Sequence, residues 1–217
     1  MTRPRMLDLF SGAGGAARGY QLAGFHVTGV DINPQPHYAG DEFHQADAMT
    51  FPLDGFDAIH ASPPCQAFTA YRRRGAGVGD SYPDLIAATR ERLKANGRPY
   101  VIENVERSPV RPTSMLCGSS FGLDVRRHRW FETSFPMLSA PCDHGWQRPR
   151  FPQATNRTAP RRTAEIGVWR IPLATQQAAM GIDWMLLPEL SQAVPPAFTQ
   201  FIGEQLLAAI AVGPRNG

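Results

Sequence analysis

With 217 residues, 42% hydrophobic content and a formal charge of +3, the chain can build one sizeable globular core and is not a disordered polymer. No apolar run approaches the roughly 20 residues that span a bilayer, and the opening MTRPRMLDLF has no apolar leader, so a cytoplasmic protein away from membranes is expected. Lys94 is the sole lysine among 22 basic residues; arginine suits phosphates and base edges, yet this bias alone names no nucleic-acid partner.

In chain order, RMLDLF reads as a strand, followed by the Gly-rich turn SGAGG and a helix to about Ala23. FHVTGVD and EFHQAD give a second and a short third strand, and FDAIHAS a fourth that Pro63 and Pro64 cannot continue. PDLIAATRERLKANG is a helix stopped at Gly97, PYVIENV a fifth strand and RRHRWFET a further one. This alternation points to a parallel, doubly wound α/β sheet. Between Met137 and Val168 the pattern lapses into an Arg- and Pro-rich, loop-like insert. Order returns at LATQQAAMGI, and residues 196–212 form a last helix whose Phe198, Phe201, Ile202, Leu206, Ala209 and Ile210 recur at helical spacing and would pack back on the sheet.

Chemistry gathers at the strand ends. Gly12, Gly14 and Gly15 let a ligand approach the backbone at the first turn, a feature that dinucleotide sites share. Asp31 ends the second strand, about twenty residues on, placed for ribose hydroxyls. Asp47 ends the third, where a carboxylate can accept from an adenine amino group, and Phe10 can cover a flat ring. Cys65 sits at a stiff turn beyond a strand's carboxyl end, where open α/β sheets keep their sites. Glu103 ends the adjacent strand, and Arg127 and Arg129 alternate so as to share one strand face. Cys142 and His144 have no matching pair of ligands nearby and are too few for zinc, so no metal is expected.

DLFSGAGG, VDINP, SPPCQAF, IENV, RRHRWF and QAVPPAFTQFIG, in this order, resemble the motifs of the DNA (cytosine-5) methyltransferases. The resemblance covers most of residues 5–136 and 169–212. It implies a Rossmann-like S-adenosylmethionine-dependent methyltransferase fold, a mostly parallel sheet with helices on both faces, with residues 1–217 as a single catalytic domain. Phe10, Ser11, Gly12, Gly14 and Gly15 would border the cofactor, Asp31 and Ile32 its ribose, Asp47 and Ala48 its adenine, with Pro64 beside them. Carbon 5 of cytosine is a poor nucleophile, and a thiolate added at carbon 6 turns the ring into an enamine-like carbanion equivalent. Cys65 is the expected nucleophile: amino-methyltransferases carry an aromatic at the fourth position of SPPC, and a cysteine there implies attack on the ring. Glu103, kept protonated by burial, would donate to N3, with Asn104 supporting its loop; Arg129 would bind O2 and Arg127 brace the site.

The cytosine must be flipped from the duplex. Arg72, Arg73 and Arg74, in a Gly-rich stretch, would belong to a loop closing over it, and Arg148 and Arg150 would contact DNA phosphates. The family pattern is departed from in three places. Residues 137–168 are a reduced insert where a target-recognition domain is usual, which implies a weak or very short sequence preference, or a protein partner that supplies it. Val125 replaces the usual glutamine before the arginines, and Ser191-Gln192 replaces Gly-Asn. The alternatives are a reduced relative that binds DNA or cofactor without turnover, and the same chemistry on RNA or a free cytosine nucleotide. An NAD-dependent enzyme would leave SPPC, ENV and the paired arginines unexplained.

Overall fold

The computed structural model describes residues 2–65, 84–145, 147 and 163–212. Strands β1 (Arg5–Leu9), β2 (His26–Asp31), β3 (Glu42–Gln45), β4 (Ala58–Ala61), β5 (Tyr100–Asn104), β6 (Ser114–Leu116) and β7 (Arg129–Thr133) form one sheet in the order β3-β2-β1-β4-β5-β7-β6. The first five are parallel, and β7 runs antiparallel to both β5 and β6. Helices α1 (Gly15–Ala23), α2 (Ile86–Asn96), α3 (Leu173–Met180), α4 (Leu187–Gln192) and α5 (Pro196–Val212) complete the described elements.

Alternation along the strands divides the core in two. Met6, Val27, Ala58, Val101 and Phe131 face one way and pack with Tyr20 of α1 and Phe198, Ile202 and Leu206 of α5. Leu7, Val30, Ile59 and Ile102 face the other way and pack with Ile86 and Leu93 of α2. Phe198, Ile202 and Leu206 are fully buried, each contributing about 1.5–3 kcal/mol by leaving water. Helix α5 can press this close because residue 19 is glycine: a Cβ there would stand 2.0 Å from Thr199 Oγ1 and 2.1 Å from the Pro196 carbonyl oxygen.

The mostly parallel sheet, its helices on both faces and the last helix follow the sequence reading. The three-residue β6 escaped it, and β7, the further strand read at RRHRWFET, lies beside β5 and runs antiparallel to it. Across the described part of residues 137–168 there is neither helix nor strand. No helix among the described residues is long and apolar enough to cross a membrane.

Candidate active site

At the carboxyl ends of the parallel strands lies a cleft of about 420 Å³, a size suited to a small-molecule ligand. Phe10, Ser11 and Gly12 border it from the turn after β1, Asp31 and Ile32 from β2, Asp47 and Ala48 from beyond β3, Pro64 and Cys65 from beyond β4, and Glu103 from β5. Residues far apart in sequence meet here because parallel strands all deliver their ends to one edge.

The first turn presents open backbone to the cleft. Gly12 has φ +49° and nothing within 4 Å of where a Cβ would stand. Asp31 fixes this turn by accepting from the Gly12 N–H at 3.0 Å with one carboxylate oxygen and from the Asn33 N–H at 2.9 Å with the other. Asp47 accepts from the Met49 N–H at 2.8 Å. Gly15 reaches the cleft, and its own Cβ position is blocked 2.5 Å away by the Val194 carbonyl. Gly14 is not in the cleft wall: its φ of +80° and the Ala39 amide, 2.8 Å from a Cβ there, demand glycine for backbone packing.

Reversal of β7 determines the opposite wall. Glu103 pairs with Phe131, so Arg129, two residues earlier on β7, is its diagonal neighbour on the same face. Arg129 Nε lies 3.0 Å from Glu103 Oε1, both side chains being largely buried. Burial raises the Glu103 carboxyl above its ordinary range, against the pull of Arg129, a Ser62 hydrogen bond and Arg127. Burial likewise pushes the Cys65 thiol up, helped by the Glu103 charge and opposed by Arg129 and Arg127. Cys65, Glu103 and Arg129 line one cavity. Asn104 steadies the turn that carries Cys65, its amide donating to the Pro63 carbonyl at 2.9 Å.

Arg127 departs from the expected alternation. It precedes β7, with φ +40°, and its guanidinium donates to the Ser191 and Ala193 carbonyls at 2.7 and 2.8 Å instead of sharing a strand face with Arg129. It braces the end of α4, where Gln192, part of the Ser191-Gln192 departure from the family pattern, lines the cleft. Behind Val125, the side-chain amide of Gln147 donates to the Leu123 and Val125 carbonyls at 2.9 and 3.2 Å.

Two features were not anticipated on this side of the molecule. Asp8, in the middle of β1, is fully buried yet contributes to the cleft; burial, then the charges of Asp31 and Glu103, raises its carboxyl well above the usual range. An acid inside an otherwise apolar strand was its sequence signal. Behind Glu103 stands buried His60, which burial pushes down to about 3, bonded at 3.0 Å to the Tyr20 hydroxyl and at 2.9 Å to Ser62 Oγ. Ser62 in turn bonds Glu103, so a neutral polar chain backs the acid.

The expectation of too few metal ligands around Cys142 and His144 is corrected. The fold brings Cys117 and His128 to them, and the four ligand atoms lie within 4.8 Å of one another. Arg72, Arg73, Arg74, Arg148 and Arg150 lie outside the described residues.

The lining can hold a cation. Among the described lining residues, Asp31, Asp47 and Glu189 bring carboxylates to the cleft beside the Arg129 guanidinium, while burial draws Asp8 and Glu103 toward their neutral acids. Such a lining favours a positively charged ligand and repels the pyrophosphate of a dinucleotide.

The family model of C-5 cytosine-specific DNA methylases matches residues 4–108. A type II methyltransferase, M.XorII of Xanthomonas oryzae pv. oryzae, is 30% identical over 151 residues, 60% of this chain and 31% of that protein. Another, M1.HphI of Haemophilus parahaemolyticus, is 29% identical over 46% of this chain and 32% of its own length. The chain thus spans about a third of the length of these relatives. Among solved structures, the Entamoeba histolytica methyltransferase EhMeth aligns with a TM-score of 0.62 and 11% identity over 97% of this chain and 99% of that one. S. pombe Dnmt2 methyltransferase aligns at 0.59 and 15% identity over 96% and 99%. These two establish a methyltransferase fold. Residues 4–108, the stretch that the C-5 cytosine-specific DNA methylase model matches, are just under half of the chain and hold β1 to β5 with the cleft residues from Phe10 to Glu103.

Proposed function

We propose that the protein transfers a methyl group from S-adenosylmethionine to carbon 5 of a flipped-out cytosine in DNA, by way of a covalent bond between Cys65 and carbon 6. The observation that carries this reading is the meeting of a thiol, a buried carboxyl and a guanidinium on one cleft, Cys65, Glu103 and Arg129. The rest of the cleft fits the cofactor: its carboxyls suit a sulfonium and an ammonium, and the open face of Gly12 leaves room for a ligand against the backbone.

Cys65 adds to carbon 6 as thiolate, while Glu103 gives its proton to N3 and Arg129 holds O2, so charge does not accumulate on the ring. The burial that raises Glu103 supplies the protonated form this step needs. Carbon 5 would take the methyl of bound S-adenosylmethionine as the sulfur–methyl bond breaks and S-adenosylhomocysteine is left, and N3 would return its proton to Glu103. A base then removes the carbon-5 proton, the double bond returns and Cys65 leaves as thiolate. Arg127 and Asn104 position this set without touching the ring. DNA contacts are assigned to the arginines at positions 72–74, 148 and 150, and the short 137–168 insert to a weak sequence preference or one supplied by a partner.

Duplex DNA, transfer RNA and dCMP are each incubated with methyl-labelled cofactor. Label in 5-methylcytosine of the duplex alone supports the reading. Label confined to RNA or dCMP overturns DNA as substrate, and cofactor binding without any label overturns the enzyme.

A further inference from the structure

We propose that Cys117, His128, Cys142 and His144 bind a structural zinc ion that pins the first part of the Arg-rich insert to the β6–β7 pair. Cys117 directly follows β6, His128 directly precedes β7, and Cys142 and His144 lie in the chain that leaves β7. His144 Nε2 is 2.9 Å from Cys142 Sγ, 3.2 Å from Cys117 Sγ and 3.3 Å from His128 Nε2, while His128 Nε2 is 3.5 Å from Cys142 Sγ. A tetrahedron with metal–sulfur bonds of about 2.3 Å and metal–nitrogen bonds of about 2.1 Å has edges of roughly 3.4–3.8 Å. These four separations lie at or inside those edges, and the two remaining pairs, from Cys117 to Cys142 and to His128, stay within 4.8 Å, so small side-chain shifts complete the tetrahedron.

Hydrogen bonding among neutral groups does not account for the cluster. An imidazole nitrogen offers one proton or one lone pair, yet His144 Nε2 faces three polar atoms at once. Four donors converging on one point are satisfied together by a shared cation. Two thiolates and two imidazoles are the ligand set of structural zinc, and four protein ligands leave no position open for substrate.

The surroundings suit that set. The Ser119 hydroxyl donates to Cys117 Sγ at 3.2 Å, the Ser119 backbone N–H points to the same sulfur, and the Asp143 N–H holds that hydroxyl at 3.1 Å. His128 Nδ1, the ring nitrogen not in the cluster, lies 3.9 Å from a Glu106 carboxylate oxygen, beyond a hydrogen bond but close enough for a favourable charge interaction. Because His128 stands between Arg127 and Arg129, the ion would anchor the left-handed turn at Arg127 from which β7 sets out. The inference rests on geometry and holds whether or not the methyl-transfer reading does.

The test is metal analysis of the full chain purified without chelator, followed by cobalt substitution. One equivalent of zinc per chain is expected, and cobalt(II) should give tetrahedral d–d bands with thiolate charge transfer. Cys142→Ser, at an exposed position that leaves folding intact, should lower zinc content at least tenfold after dialysis. Cys65→Ser, which removes the one remaining thiol, should keep the full equivalent. Absence of zinc together with no cobalt spectrum overturns the proposal. So does a Cys117–Cys142 disulfide in peptide mass mapping, or a Cys142→Ser protein that retains its zinc.

Discussion

The parallel half of the sheet, β1 to β5, and the antiparallel pair β6–β7 bring residues to the same cleft by opposite routes. In the first half these cleft-lining side chains follow their strands: Phe10, Asp31, Asp47, Cys65 and Glu103 stand at or beyond carboxyl ends. In the second half the strand is reversed, so the contributing residue, Arg129, stands at its beginning. The two halves are also held differently. Aliphatic burial on both faces fixes the parallel strands, whereas β7 adds to the burial of Phe131 two charged contacts, Arg129 to Glu103 and Glu132 to Arg90 of α2. The cleft therefore depends on a polar joint between two differently built halves.

The largest effect expected from breaking that joint comes at Glu132. It takes a two-pronged bond from Arg90, at 2.6 and 2.8 Å, and a further one from the Arg111 N–H at 2.8 Å, all but out of solvent. Glu132→Ala leaves the Arg90 guanidinium buried and unpaired and should cost about 3–5 kcal/mol in urea unfolding. A loss under about 1 kcal/mol would mean that apolar packing alone holds β7.

Glu103→Gln keeps the shape of the joint and removes its charge and its acid. Turnover should fall on the order of 10²–10³-fold. The same change should lower the pH at which Cys65 becomes reactive to iodoacetamide, because the Glu103 charge helps to raise that thiol. Turnover and thiol reactivity moving in opposite directions separates this role from general damage, which would depress turnover without easing ionisation of the thiol.

A smaller effect is expected at His60, on the parallel side. Its imidazole holds off protonation until about pH 3, whereas in the unfolded chain it takes a proton near pH 6.5. Its contribution to stability is thus complete above about 6.5 and is lost as pH falls through that window, by up to about 1.4 kcal/mol per unit. Asp8 and Glu103, with raised carboxyls, tilt the slope the other way. The comparison of wild type with His60→Gln isolates the histidine: the variant should lose less stability between pH 6.5 and 4, and equal slopes would remove His60 from the account.

The same contrast marks what could be read from sequence. In the parallel half, short apolar runs closed by Gly or Pro gave the strands, and the residues just past them gave Asp31, Asp47, Cys65 and Glu103. Ser114–Leu116 is too short to carry a period, and nothing local announces that β7 reverses. Arg127 was misread for this reason: alternation applies inside a strand, and Arg127 lies before it. The Cys117–His128–Cys142–His144 cluster was equally hidden, since its two halves are brought together only by the β6–β7 pairing. His60 and Asp8 showed merely as polar letters in apolar strands, and their partners come from other elements.

The central claim is that Cys65 bonds to the cytosine ring. Duplex DNA bearing 5-fluorocytosine, incubated with protein and S-adenosylmethionine, leaves no carbon-5 proton to remove and should trap the protein on the DNA. Peptide mapping should place the link at Cys65, and Cys65→Ser should form no adduct and transfer no methyl. A link at another residue, or methyl transfer that survives Cys65→Ser, would contradict the account.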